Sequence, residues 1–128
     1  MAKYLSLEYW KKVQELANAD QEFSIKAKTF TASFTFKVSD KADLHPIYAK
    51  FSDGKIPELR DINEGEKTDF SLEGTYDVWS QVNKGELDGS NAIMQRQLQF
   101  KGNMSNIIRY SKSFLRLFQL MQKVPVEY

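Results

Sequence analysis

The sequence predicts an α+β fold, an antiparallel sheet covered by helices, and three observations carry that reading. Phe30, Ala32, Phe34, Phe36 and Val38 alternate with Thr31, Ser33, Thr35 and Lys37, the period-two pattern of a strand buried on one face. Asp53-Gly54 stands between the strand-like runs 47–51 and 56–62 and offers the two positive-φ positions of a tight hairpin. From Met104 onward the chain is apolar around most of a helical circumference. The 128 residues, read as one domain spanning 1–128, are long enough to bury a core without staples.

The elements follow in order. Ser6 is placed to cap a first helix, because its hydroxyl can accept from a free first-turn amide. Leu5 and Trp10 stand at the spacing of a hydrophobic staple, and Tyr9, Trp10, Val13, Leu16 and Ala17 give the helix one apolar face ending near Asn18–Asp20. Residues 23–29 read as part of the first strand or its lead-in. Pro57 cannot donate a ladder hydrogen bond, so the second hairpin strand is expected at an edge or with a late start. After a turn at residues 63–66, Phe70, Leu72, Gly74 and Tyr76 alternate with Asp69, Ser71, Glu73 and Thr75 as another half-buried strand. Trp79 and Val82 mark a short helix that Gly85 stops, and residues 88–94 form a second one. Leu98, Phe100 and Gly102 alternate with Gln97, Gln99 and Lys101 in a last strand, and a long final helix runs to Pro125.

Placed at about 100° per residue, the apolar residues of that final helix cover roughly two thirds of the wheel. A surface helix usually shows a stripe only a little over 100° wide. Arg109, Lys112, Arg116 and Lys123 fall within roughly 60° of one another on the remainder. The wide face fits a central core helix, the wall of a lipid-lined cavity, or a dimer interface. The basic rail fits a solvated face, and equally docking on an anionic membrane surface or contact with a charged head group.

Composition narrows the function. Residues 96–128 carry six Lys/Arg and one acidic residue, residues 1–95 twelve and sixteen, so the positive charge is local. A nucleic-acid binder would show a broader basic footprint, and no nucleic-acid partner is expected. Without cysteine there is neither a disulfide framework nor a thiolate metal site or nucleophile. His45 is the sole histidine and reads as a loop residue beside Pro46. No Gly-x-Ser-x-Gly elbow, phosphate loop or EF-hand spacing is present, so neither catalysis nor a cofactor or metal is expected. Asp61, Glu64, Glu66 and Asp69 cluster around a turn as solvated charge. With no secretory-type start and no run of 18 apolar residues, the expected setting is soluble and cytoplasmic.

The run Trp79-x-x-Val82-x-x-Gly85-x-x-Asp88-x-x-x-Ala92-x-Met94, followed by Leu98-x-Phe100-x-Gly102-Asn103-Met104, resembles the sterol carrier protein 2 (SCP2) family. The order of the upstream elements is similar too, so the resemblance extends over residues 5–123. One departure is Arg96-Gln97, where relatives often carry Gly-Lys, which implies a different turn ahead of the last strand. Another is Phe100, bulkier than the usual branched aliphatic. The resemblance implies a five-stranded, mainly antiparallel sheet with helices packed on one face. It also implies an apolar tunnel between the layers for a fatty acyl chain, acyl-CoA, sterol or similar lipid, with the last helix as wall or lid and no catalysis.

The walls expected from inner strand faces and the last helix are Phe34, Phe36, Phe70, Leu72, Phe100, Met104, Ile108, Leu115, Phe118 and Met121. Arg109, Lys112, Arg116 and Lys123 are the expected membrane or head-group contacts. Gly74 and Gly102 leave room either for a ligand or for close packing. The alternative function is an interaction domain with a closed cavity, forming a homodimer through apolar surface on Leu117, Leu120 and Val124.

Overall fold

The computed structural model describes all residues, Met1–Tyr128. Its main sheet has the strand order β4-β3-β2-β5-β6, formed by β2 (Ala32–Val38), β3 (Ile47–Ser52), β4 (Lys55–Asp61), β5 (Phe70–Gly74) and β6 (Gln99–Lys101). The β2–β3, β3–β4 and β5–β6 pairs are antiparallel, whereas β2 and β5 are parallel, with Phe34 opposite Phe70 and Phe36 opposite Leu72. The sheet is therefore mixed, mostly antiparallel, with helices on one face. Its inner face is apolar along every strand, and Phe34 and Phe36 are the centre of an aromatic stack.

Helix α1 (Leu7–Ala19) begins where the sequence places it, with the Ser6 hydroxyl accepting from the Tyr9 amide. Leu5, with φ 64°, is buried beside it. Residues 23–29 depart from the strand reading. Asp20 caps a short helix α2 (Gln21–Lys26) by accepting from the Phe23 amide at 2.7 Å. Only Phe23 of α2 is buried, so the segment has too little periodicity to distinguish a helix from a strand.

At the hairpin, Asp53 and Gly54 both adopt positive φ, 53° and 74°. Strand β4 is an edge, as Pro57 requires, and α1 covers part of its backbone. The Asn18 carboxamide accepts from Ile56 N at 2.7 Å, and both Asn18 and Gln14 donate to Ile56 O. An edge whose polar groups are covered this way is a poor template for another chain.

Helix α3 (Tyr76–Asn83) is capped by Thr75 and ends ahead of Gly85 at φ 77°. Helix α4 (Gly89–Met94) is capped by Asp88. The expected single final helix is instead two, α5 (Met104–Arg109) and α6 (Ser111–Lys123), broken at Tyr110 with φ −106° and ψ 21°. The tyrosine ring packs 4.6 Å from Phe30, and its hydroxyl lies 3.1 Å from Thr29 Oγ1, so the break is anchored to the sheet side. Beyond Pro125, β7 (Val126–Glu127) pairs in parallel with β1 (Ala2–Lys3). This two-stranded pairing joins the chain ends and is too short to leave a sequence pattern.

Candidate functional site

The candidate site is the seam between the sheet and α6. Phe34, Phe36, Leu72 and Phe100 form its floor. Trp79 and Ile93 close one side, and Ile107, Phe114, Leu117, Phe118 and Met121 form the roof. Every one of these side chains is hydrophobic, and the enclosed space left among them is about 10 Å³. A void of that size and lining stays dry, because water there would have no polar partner.

Outside this seam lies an open groove of about 310 Å³ between α4, α5 and the start of α6. Ile93, Ile107, Phe114 and Phe118 border both spaces, so four side chains separate groove from seam. Met94, Met104 and Ile108 line the groove and are 80%, 53% and 72% exposed. Helix α5 contains no buried residue at all. The Phe118 ring rests on Gly89, where a Cβ would come within 2.7 Å of it, so α4 and α6 approach as closely as a glycine permits.

Seven of the ten expected wall residues face the sheet–helix interior. Phe34, Phe36, Leu72, Phe100, Phe118 and Met121 line the seam directly, and Phe70 stacks behind it on Phe34 and Phe100 at 5.2 and 5.5 Å. Met104 and Ile108 lie in the outer groove instead. Leu115 is 41% exposed and borders neither space. Within α6, Phe114, Leu117, Phe118 and Met121 fall at i, i+3, i+4 and i+7 and face the seam, while Leu115, about 100° round the helix from Phe114, lies off that stripe.

Trp79, Ile93, Ile107, Phe114 and Leu117 were not among the expected walls. Trp79 is a structural pin as well as a wall, its indole N–H donating to Lys37 O at 3.1 Å. Gly74 and Gly102 serve close packing: a Cβ on Gly74 would meet Leu98 Cδ2 at 2.6 Å, and one on Gly102 would enter the Phe70 ring. Leu117, Leu120 and Val124, expected as excess apolar surface in the self-association reading, are 5%, 2% and 4% exposed and belong to the core.

The basic rail also divides. Arg116 forms a two-pronged bond to Asp20, Nε to Oδ2 at 2.9 Å and Nη2 to Oδ1 at 2.7 Å. This guanidinium, with the Phe23 amide, holds the Asp20 carboxyl below the usual carboxylate range against the opposing effect of burial. Arg109, Lys112 and Lys123 make no ion pair and are exposed. His45 is exposed on a loop, its Nε2 2.9 Å from Ile62 O. Of the acidic cluster, Glu66 is held down to about 2 by a bidentate bond from Arg60, with the Asn63 amide helping.

A mixed, mostly antiparallel five-stranded sheet with helices packed on its apolar face defines the α+β class to which the chain belongs. The pattern of the SCP-2 sterol transfer family matches residues 11–114, and the chain belongs to that family. A crystal structure of sterol carrier protein 2 superposes with a TM-score of 0.87 over 96% of this chain and all of that one, at 16% identity. The solution structure of a conserved hypothetical protein from Thermus thermophilus, described as possibly a sterol carrier protein, gives 0.84 at 16% identity, covering 99% of this chain and 93% of that one. A stereoselective inverting sec-alkylsulfatase from a Pseudomonas species carries a similar fold in 15% of its length, covering 82% of this chain at 18% identity and a TM-score of 0.52. No curated protein sequence matches the chain significantly.

Proposed function

We propose that the protein is a non-catalytic carrier that takes the apolar chain of a lipid, a fatty acyl chain or a sterol-like body, into the seam and groove under α5 and α6. The observation that carries this reading is the seam's lining of eleven hydrophobic side chains, with no titratable group among them. Membership of a sterol transfer family supports the same ligand class. Such a site needs little polar chemistry, since each methylene taken out of water contributes roughly 0.8 kcal/mol. The groove, at about 310 Å³, stands at the low end of small-molecule sites, so a chain starts there and enlarges the seam by displacing Phe114 and Phe118. Burying about six methylenes contributes on the order of 5 kcal/mol toward separating those rings.

The ligand walls in this reading are Phe34, Phe36, Phe70, Leu72, Phe100, Phe118 and Met121 inside, with Met104 and Ile108 at the mouth. Leu115 takes part only if α6 turns on opening. Arg109, Lys112 and Lys123 are free to meet an anionic membrane surface, and Arg116 is held by Asp20. No helix is long and apolar enough to cross a membrane.

A second reading rests on the near-absence of space in the seam. The cavity is then permanently filled, and the exposed Met94, Met104 and Ile108 meet another protein surface or a second copy of this chain. Native mass spectrometry of the protein as purified, followed by denaturing extraction, separates the two. A co-purifying species of lipid mass on the monomer supports the carrier. A ligand-free dimer that takes up no fluorescent fatty acid supports the interaction surface.

A further inference from the structure

Beside the groove is a second hollow of about 590 Å³, lined by Ile93, Met94, Arg96, Gln99, Phe100, Lys101, Gly102 and Met104. Ile93, Met94 and Met104 border the groove as well, and Phe100 borders the seam, so the spaces adjoin through apolar side chains. The only charged residues lining the hollow are Arg96 and Lys101.

Both cations are fixed at the backbone and unpaired at the side chain. Lys101 stands opposite Ser71 in the β5–β6 ladder. Arg96 follows the end of α4 at φ 62°, its amide donating to Ile93 O at 3.1 Å, while the Gln97 and Leu98 amides both donate to Ala92 O. Glycine is the ordinary occupant of that left-handed position after a helix, and a side chain there is strained. Strain of this kind collects at functional sites. The ion pairs use Lys3, Lys26, Lys28, Arg60 and Arg116, but neither Arg96 nor Lys101. No Asp or Glu occurs in residues 89–126, and the two acids that share a neighbouring hollow with Lys101, Glu66 and Asp69, are bonded by Arg60 and by the Ser33 amide.

Resting on the reading that an apolar chain occupies the groove, we propose that Arg96 and Lys101 hold the anionic head of that ligand, a carboxylate or a phosphate. The guanidinium fork suits either oxyanion with two parallel bonds, and the lysine adds a mobile point charge. The Gln99 amide borders the same space. The preferred ligand is thus a single-chain anionic amphiphile rather than a neutral sterol or alcohol, and the flexible Met94 and Met104 adapt to where its head and tail join.

The test compares a saturated fatty acid, the fatty alcohol of equal length and the matching alkyl phosphate on the full chain after delipidation. Two variants are used, R96Q/K101Q and R96G. The double variant is expected to bind the acid and the alkyl phosphate roughly tenfold to a hundredfold more weakly, with alcohol binding unchanged. R96G removes the guanidinium and relieves the backbone, so it should melt at a higher temperature than the native chain and still bind the acid more weakly. That pairing separates a head-group role from damage to the fold. Acid binding unaltered in both variants, beside normal alcohol binding, overturns the proposal and leaves the carrier reading intact. Failure of the native chain to bind even the alcohol overturns the carrier reading and this one with it. Inorganic phosphate should displace the acid far less well than the alkyl phosphate does. Equal displacement would assign the pair to free phosphate and overturn the head-group role.

Discussion

Two corners of the molecule are built on opposite terms. Around the joined chain ends, Tyr4, Tyr9, Trp10 and Trp79 are all at most 2% exposed, and their rings meet edge to face. Three of their polar atoms are engaged too: the Tyr4 hydroxyl donates to Trp79 O at 2.8 Å, the Tyr9 hydroxyl to Met121 O at 3.4 Å and the Trp79 indole to Lys37 O. Burial pushes both the Tyr4 and Tyr9 phenols well above the ordinary tyrosine range, so they remain neutral donors. In the α4–α5 corner, the large apolar side chains Met94, Met104 and Ile108 stand in solvent and α5 buries nothing. The first corner supplies stability, and the second retains freedom to rearrange. Functional openings are drawn from the low-stability end of a structure, because a fully packed core cannot admit a guest.

Truncation puts the comparison to its strongest test. Trp79→Ala removes a buried ring that both pins α3 to the sheet and walls the seam, and should cost about 3–5 kcal/mol in denaturant unfolding. Ile108→Ala should change stability by no more than about 0.5 kcal/mol. Comparable losses from the two would mean that α5 is part of the core, and the contrast would fail.

Amide hydrogen exchange sharpens the contrast without a mutation. The amides of α5 should exchange through local openings of roughly 0–2 kcal/mol, while those of β2 and β3 exchange only on global unfolding. Uptake of a fatty acid is then expected to slow exchange in α5 and α6 selectively. Uniform protection over both corners would place the opening elsewhere.

Asp20 lies between the two regimes, tying α2 to α6 through Arg116. Its carboxyl titrates below the usual range in the folded chain, so it contributes stability fully above the unfolded value of about 3.9. That contribution is lost as pH falls through the folded value, because the unfolded chain then binds the proton more readily. Asp20→Ala should cost about 1 kcal/mol for the cap to Phe23 alone at neutral pH, and more with the lost partner of Arg116. Asp20→Asn keeps a capping oxygen and removes the charge. It should show a smaller loss and a flatter decline in melting temperature below pH 4 than the native chain, by thermal denaturation.

How much of this is legible in the sequence depends on how local the cause is. Ser6, Asp53-Gly54, Pro57 and Gly85 act through their own backbone or the next turn, and each element they mark is where the sequence puts it. The alternation at Phe34, Phe36, Phe70 and Leu72 identifies the inner face because one side of a sheet must be buried. The break at Tyr110 is illegible because its cause is remote: the ring is anchored on Phe30 and Thr29, eighty residues away in the chain. Asp20 does carry a local signal for α2, an N-cap residue followed by Gln21-Glu22, which the strand reading of residues 23–29 overlooks. The pairing of Arg116 with Asp20 has no sequence signal, since nothing about two charges distant in the chain shows that they meet.

An equally small effect on stability is expected for Lys112 and Lys123, on the exposed face of α6. Both are exposed and make no ion pair, so K112E/K123E should unfold within about 0.5 kcal/mol of the native chain. Binding to vesicles rich in anionic phospholipid should nevertheless fall sharply in co-sedimentation, because each cation near such a surface contributes roughly 1 kcal/mol and each reversal also adds repulsion. Raising the salt concentration should mimic the substitution in the native chain, because that attraction decays within a Debye length. Arg116→Gln serves as the contrast. Its charge is already met by Asp20, so vesicle binding should change little while stability drops with the lost two-pronged bond. Vesicle binding that depended on Arg116 but not on Lys112 and Lys123 would overturn the proposed contact between these two exposed lysines and an anionic surface.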